Sequence, residues 1–206
     1  MTEPVEDTGS RPYDTGGQTA AKGSVRFVPG QPDMWAFVLF EALVFTSYFI
    51  VYMICRTQNP ELYLRSQAQL NLRAGVFETL VLLMSSWSMA RCVQASRAGM
   101  FHSAFRNALA TIFFGAVFLV SKVSEWAAYV RRGFGFSTNE FFVHYFFLTG
   151  IHLLHLLIGF VALGVVVYQL RSSARRSQEL VETGATYWHT VDFLWVVIFA
   201  LLYIVR

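Results

Sequence analysis

Residues 139–170 read NEFFVHYFFLTGIHLLHLLIGFVALGVVVYQL, from Asn139 to Leu170. After Glu140 the run carries no Asp, Glu, Lys or Arg until Arg171. A bilayer core is spanned by about 20 apolar residues in helical form, so this stretch can cross a membrane and tilt or project beyond it. In lipid there is no water to satisfy backbone N–H and C=O groups. A helix satisfies its own without leaving an edge. The stretch is therefore predicted as a transmembrane helix, and the Ser137–Glu140 spacing suggests a capping box at its start.

Four more stretches meet the same length: about 34–55, 72–93, 105–130 and 187–204. Asp33 is the expected N-cap of the first, with Pro29 and Pro32 barring an earlier start. Arg73 and Glu78 lie near the start of the second. The predicted fold is all-α and polytopic, a bundle of five transmembrane helices over residues 34–206. The first 33 residues mix Gly, Pro, Thr and charge without an apolar core, and are expected to be a disordered tail rather than a signal peptide.

Composition agrees with a membrane protein. Hydrophobic residues make up 55% of the 206, charged residues 14%, and mean hydropathy is +0.45. Soluble domains carry about a quarter charged residues. The 17% of aromatic residues suits membrane interfaces. The net charge of +3 resides in short loops between apolar runs, which marks topology and gives no nucleic-acid surface. One side holds nine basic residues (Arg11, Lys22, Arg26, Arg91, Arg97, Arg106, Arg171, Arg175 and Arg176) and the other six (Arg56, Arg65, Arg73, Arg131, Arg132 and Arg206). That bias puts the N-terminus in the cytoplasm. Cys55 and Cys92 fall on opposite faces in this topology, and no C-x-x-C motif exists.

The chemistry should lie in the polar residues within the spans. A charge at the bilayer centre costs about 2.5–3.5 kcal/mol even on the gentlest scale, so such residues face other helices or a cavity. Lys122 and Glu125 are three apart and read as an ion pair near the outer interface. Asn71, Gly75, Glu78 and Ser85 share one face of the second span. His144, Leu148, His152, His155 and Gly159 fall within an arc of roughly 80° at 100° per residue. These histidines read as interhelical hydrogen-bonders, and His189 with Asp192 as a hydrogen-bonded pair near the inner interface. Glu41 stands among apolar residues with no basic residue within four positions. It is open to two readings, proton handling or a lone buried hydrogen bond.

Other chemistry is poorly provided for. A haem held by two imidazoles needs histidines on facing helices at matched depth, and no such pair is legible among the five. A mixed-valence copper site needs paired cysteine thiolates. No Walker loop, nucleophile elbow or zinc motif appears. Catalysis of electron transfer by this chain alone is not expected. A small proton channel or transporter with Glu41, Glu78 and Glu125 as relay groups, and a membrane cytochrome b, are the rival readings.

The same stripes resemble subunit III of the haem-copper oxidases. The first span, WAFVLFEALVF from Trp35 to Phe45, is similar to that family's aromatic, mid-span glutamate and following Phe. Lys122-Val-Ser-Glu125-Trp126 resembles its Glu-aromatic signature. Thr149-Gly150-Ile-His152-Leu-Leu-His155-Leu-Leu-Ile-Gly159 and Tyr187-Trp188-His189-Thr-Val-Asp192-Phe-Leu-Trp195 resemble its two most specific motifs. Pro29-Gly30 and the Glu78…Ser85-Ser86-Trp87 stretch look closest to the branch associated with nitric oxide reductase. Glu78 stands where the family pattern leads one to expect Asn.

The resemblance implies a non-catalytic accessory subunit in a bacterial inner membrane. It implies no haem or copper in this chain, with both in a catalytic subunit I accompanied by subunit II. It implies helices around a V-shaped cleft holding phospholipid, and support for assembly, stability and proton uptake in respiratory electron transport. Glu41 would correspond to the family's carbodiimide-reactive buried carboxylate. Glu78, Lys122, Glu125, His152, His155, His189 and Asp192 would be structural polar residues. Association with a nitric oxide reductase is the alternative within the same resemblance.

Overall fold

The structure, a computed structural model, describes residues 32–171 and 177–205, with side chains from Met34 onward. The expected disordered tail falls almost wholly on residues 1–31, outside the described residues, as does the side chain of Asp33. Six helices follow in order: α1 (Pro32–Gln58), α2 (Pro60–Gln67), α3 (Leu72–Arg97), α4 (Phe101–Arg131), α5 (Glu140–Arg171) and α6 (Gln178–Phe199). A π-helical turn, Ala200–Ile204, continues α6. Five helices are long and apolar enough to cross a membrane: Met34–Gln58, Leu72–Arg97, Phe101–Arg131, Glu140–Arg171 and Gln178–Ile204. Among the described residues there is no strand.

α1 starts at Pro32, so Asp33 lies within the helix and is not its N-cap. Three further details differ from the sequence reading. The α2 helix, between the first two spans, was not expected. Pro60 at its first position, Glu61 in the first turn and Arg65 in the last suit a short helix. The cap of α5 is Asn139, whose Oδ1 accepts from the Phe142 N–H at 3.0 Å, rather than Ser137. The third difference is the last span, which begins at Gln178 and not Tyr187. Glu179 and Glu182 look like loop residues. However, Glu182 Oε1 accepts from Arg97 Nε and Gln178 Nε2, each at 2.9 Å, which holds the carboxylate inside a helix. His189 and Asp192 consequently lie near mid-span: His189 is about 17 Å from the helix start at 1.5 Å per residue.

α3, α4, α5 and α6 form the bundle, with α1 and α2 against its side. Gly99, at φ +71°, closes α3 and lets a three-residue turn, residues 98–100, launch α4. The core centres on Trp188 and Trp195 of α6, both fully buried. Trp188 is wedged between Gly115 of α4 and Gly159 of α5. A Cβ at those positions would stand 2.9 Å and 3.0 Å from its ring. Its Nε1–H donates to Ser85 Oγ of α3 at 3.1 Å. One side chain thus ties α6 to three helices through small residues.

α1 is seated more lightly. Phe45 and Tyr52 are buried, while Leu39 and Leu43 remain 69% and 70% exposed. Tyr52 donates to the Leu201 carbonyl at 3.2 Å. Between α1 and α6 lies an apolar groove of about 650 Å³, lined by Trp35, Ala42, Phe49, His189, Phe193 and Val197 among others. It is the opening where the expected cleft can be sought.

Candidate functional site

The largest polar cluster joins α3, α4, α5 and the π-helical turn. Lys122 is fully buried, and its Nζ lies 2.7 Å from Glu78 Oε2 and 2.5 Å from Glu125 Oε2. Glu125 accepts from three phenols: Tyr129 at 3.0 Å, and Tyr145 and Tyr203 at 3.1 Å. Lys122 also donates to Tyr203 Oη at 3.2 Å and sits 4.5 Å from the Trp195 ring centroid. Ser121 Oγ is 3.1 Å from Glu78 Oε1. The i, i+3 spacing of Lys122 and Glu125 brings those two together, and the α3–α4 hairpin supplies Glu78. The departure at Glu78 from the expected Asn acquires a physical reason, since it faces an ammonium group.

A second site joins α1 to α5. Glu41 Oε2 lies 3.1 Å from His155 Nε2. His155 Nδ1 is 2.8 Å from the Ile151 carbonyl, which can only accept, so Nδ1 carries a hydrogen. The Glu41–His155 contact then needs one further proton, held either on Nε2 or on the carboxyl. Glu41 is not a lone acid: its partner, invisible in the local sequence, is a titratable ring on another helix.

The remaining histidines are placed differently from their sequence reading. His189 Nδ1 meets Ser86 Oγ of α3 at 2.7 Å rather than Asp192. Asp192 is buried beside the same Ser86 hydroxyl, so the two residues share Ser86 rather than pairing with each other. His152 is fully buried with both ring nitrogens unpaired. It packs against Phe118 and Trp195, with centroids 5.7 and 5.2 Å away, and is an aromatic packing residue rather than an interhelical hydrogen-bonder. His144 Nδ1 donates to the Glu140 carbonyl at 2.8 Å. Outside the spans, Tyr63 of α2 lies 3.3 Å from His144 Nδ1, and burial first, then the nearby Glu140, pushes its phenol well above the usual range.

Sequence reasoning missed Tyr145 and Tyr203. Tyr residues at span ends read as interface anchors, yet Tyr145 and Tyr203 are buried at 0% and 3% exposure. A buried phenol needs an acceptor, and Glu125 was the candidate in reach. Among the described residues, no group of three or more His, Cys, Asp or Glu is arranged to hold a metal ion.

Fold and sites together define a polytopic helical membrane protein whose intramembrane polar groups meet one another across its own helices. Residues 31–206 match the family model for cytochrome c oxidase subunit III, and the chain belongs to that family. It is 30% identical over 183 residues to cytochrome c oxidase subunit 3 of Synechocystis, covering 85% of this chain and 77% of the relative. It is 27% identical over 175 residues to cytochrome bo(3) ubiquinol oxidase subunit 3 of Buchnera aphidicola, covering 83% and 84%. A third relative, heme-copper oxidase subunit I+III of Aeropyrum pernix, is 26% identical over 84% of this chain and 22% of that longer protein.

Proposed function

We propose that the chain is a non-catalytic accessory subunit of a bacterial haem-copper oxidase, packing against catalytic subunit I and supporting its assembly, stability and proton uptake. The observation that carries this reading is the Aeropyrum relative, named as subunits I and III together, in which the matched segment is 22% of the protein. A segment carried there in one polypeptide with subunit I is expected to bind the corresponding separate chain here. Subunit II, haem and copper belong to the rest of the complex. The basic-residue bias supports a cytoplasmic N-terminus in the inner membrane. The α1/α6 groove, apolar along most of its length, supports phospholipid acyl chains as its occupant.

Glu41 and His155 support proton handling, since one proton between two titratable groups can be taken up and released. Affinity purification from native membranes tests the reading. Recovery of a haem-bearing partner with an oxidase spectrum is expected, and recovery of the chain alone overturns it. Flux across liposomes bearing the isolated chain would instead support a channel.

A second reading within the family, the accessory subunit of a nitric oxide reductase, rests on the Glu78…Ser85-Ser86-Trp87 stretch. The acceptor reduced by the purified complex, oxygen or nitric oxide, separates the two.

A further inference from the structure

We propose that Glu78, Lys122 and Glu125 form a second proton-binding site, remote from Glu41, that exchanges with the membrane face at the Asn71–Arg132 end. Two carboxylates and one ammonium sum to one uncompensated negative charge, and the side chains are 0%, 7% and 0% exposed for Glu78, Glu125 and Lys122. An unbalanced charge in that setting is strongly disfavoured, and a proton is the smallest counter-charge that fits.

The hydrogen bonds assign the proton to one residue. Glu125 accepts from Tyr129, Tyr145, Tyr203 and Lys122, and the phenols of Tyr129 and Tyr203 already accept from the Asn71 N–H and from Lys122, so a proton on Glu125 would disturb bonds beyond its own. Glu78 faces Lys122 through Oε2 and only the Ser121 hydroxyl through Oε1. A hydroxyl can accept as well as donate. Protonation at Oε1 converts the carboxylate to a carboxylic acid, reverses the Ser121 hydrogen bond and takes the cluster from −1 to neutral. No other bond needs to change. The groups facing the site are Lys122, Glu125 and Tyr129 of α4, Tyr145 of α5 and Tyr203 of the π-helical turn. His152 of α5 also lies near Lys122, with both ring nitrogens unpaired.

A route is present. A cavity of about 260 Å³ is lined by Asn71, Ser121, Ser124, Glu125, Tyr129 and Arg132. Asn71 caps α3 and Arg132 caps α4, so the cavity begins at the helix ends. It reaches Ser121, about 17 Å inward of Arg132 at 1.5 Å per residue. Ser121, whose hydroxyl touches Glu78, therefore also lines the cavity.

Infrared difference spectra of the full chain in nanodiscs, taken between alkaline and mildly acid pH, test this. The expected result is a protonated-carboxyl band that shifts in D2O, is lost in Glu78→Gln and survives in Glu41→Gln. Ser121→Ala, which removes only the hydroxyl on Oε1, is expected to move the same band. Should Glu78→Gln fail to fold, the Ser121→Ala shift carries the test. A folded Glu78→Gln with the parent's full set of carboxyl bands overturns the proposal, as does a Ser121→Ala spectrum with every band unmoved.

Discussion

Glu78 and Glu41 are both carboxyls inside transmembrane helices, and the chain secures them differently. Glu78 sits within the four-helix bundle, where Lys122 bridges it to Glu125 and three tyrosines arrive from α4, α5 and the π-helical turn. Glu41 sits at the joint between α1 and α5, with a single ring opposite it and part of its surface exposed. Where several helices converge, a charge can be met by many donors and becomes part of the packing. Where two helices merely touch, one titratable partner holds it, and the contact depends on where a proton resides.

This contrast can be broken at either end. The largest effect is expected from Lys122→Met, which strands two buried carboxylates and should cost about 3–5 kcal/mol, read as loss of unfolding stability in mixed micelles. The double variant Lys122→Gln with Glu78→Asn should recover most of it, because Glu125 keeps its three phenols. Equal stability of Lys122→Met and the parent would show that the cluster holds nothing together. Next comes Gly115→Val: its Cβ would meet the Trp188 ring at 2.9 Å, and overpacking of this kind costs about 1–3 kcal/mol. Lowered thermal stability with α1 contacts intact is the expected outcome.

At the α1 joint the effect should be no larger, and local. His155→Ala removes the partner of Glu41 at a cost of about 1–3 kcal/mol, the penalty for an unsatisfied buried group. Hydrogen exchange should quicken in α1 while α3–α6 stay protected; uniform quickening would contradict the separate seating of α1. Smallest of all is Glu61→Gln in α2. Its 3.2 Å contact with Arg65 is 83% exposed on both sides, and exposed pairs of this kind contribute almost nothing. An unchanged melting profile is expected.

The spans were legible because apolar length is a property of contiguous sequence. The partners were not, because a partner is set by which helices meet. Lys122–Glu125 could be seen from three-residue spacing, whereas Glu78–Lys122, Glu41–His155 and Ser86–His189 join residues 44, 114 and 103 positions apart. Glu182 misled the reading of α6 for the same reason, since the guanidinium that makes it tolerable belongs to α3. The π-helical turn leaves no mark in hydropathy at all, although it carries the tyrosine that reaches Lys122.

The three-residue turn after Arg97 has a consequence for how the protein is made. α3 emerges from the ribosome with Glu78 unpaired, and a lone helix bearing a carboxylate partitions poorly from the translocon into lipid. Its ammonium partner follows 44 residues later on the returning limb of the hairpin. α3 and α4 therefore enter the bilayer best as one unit, each limb discharging the other at the moment of insertion.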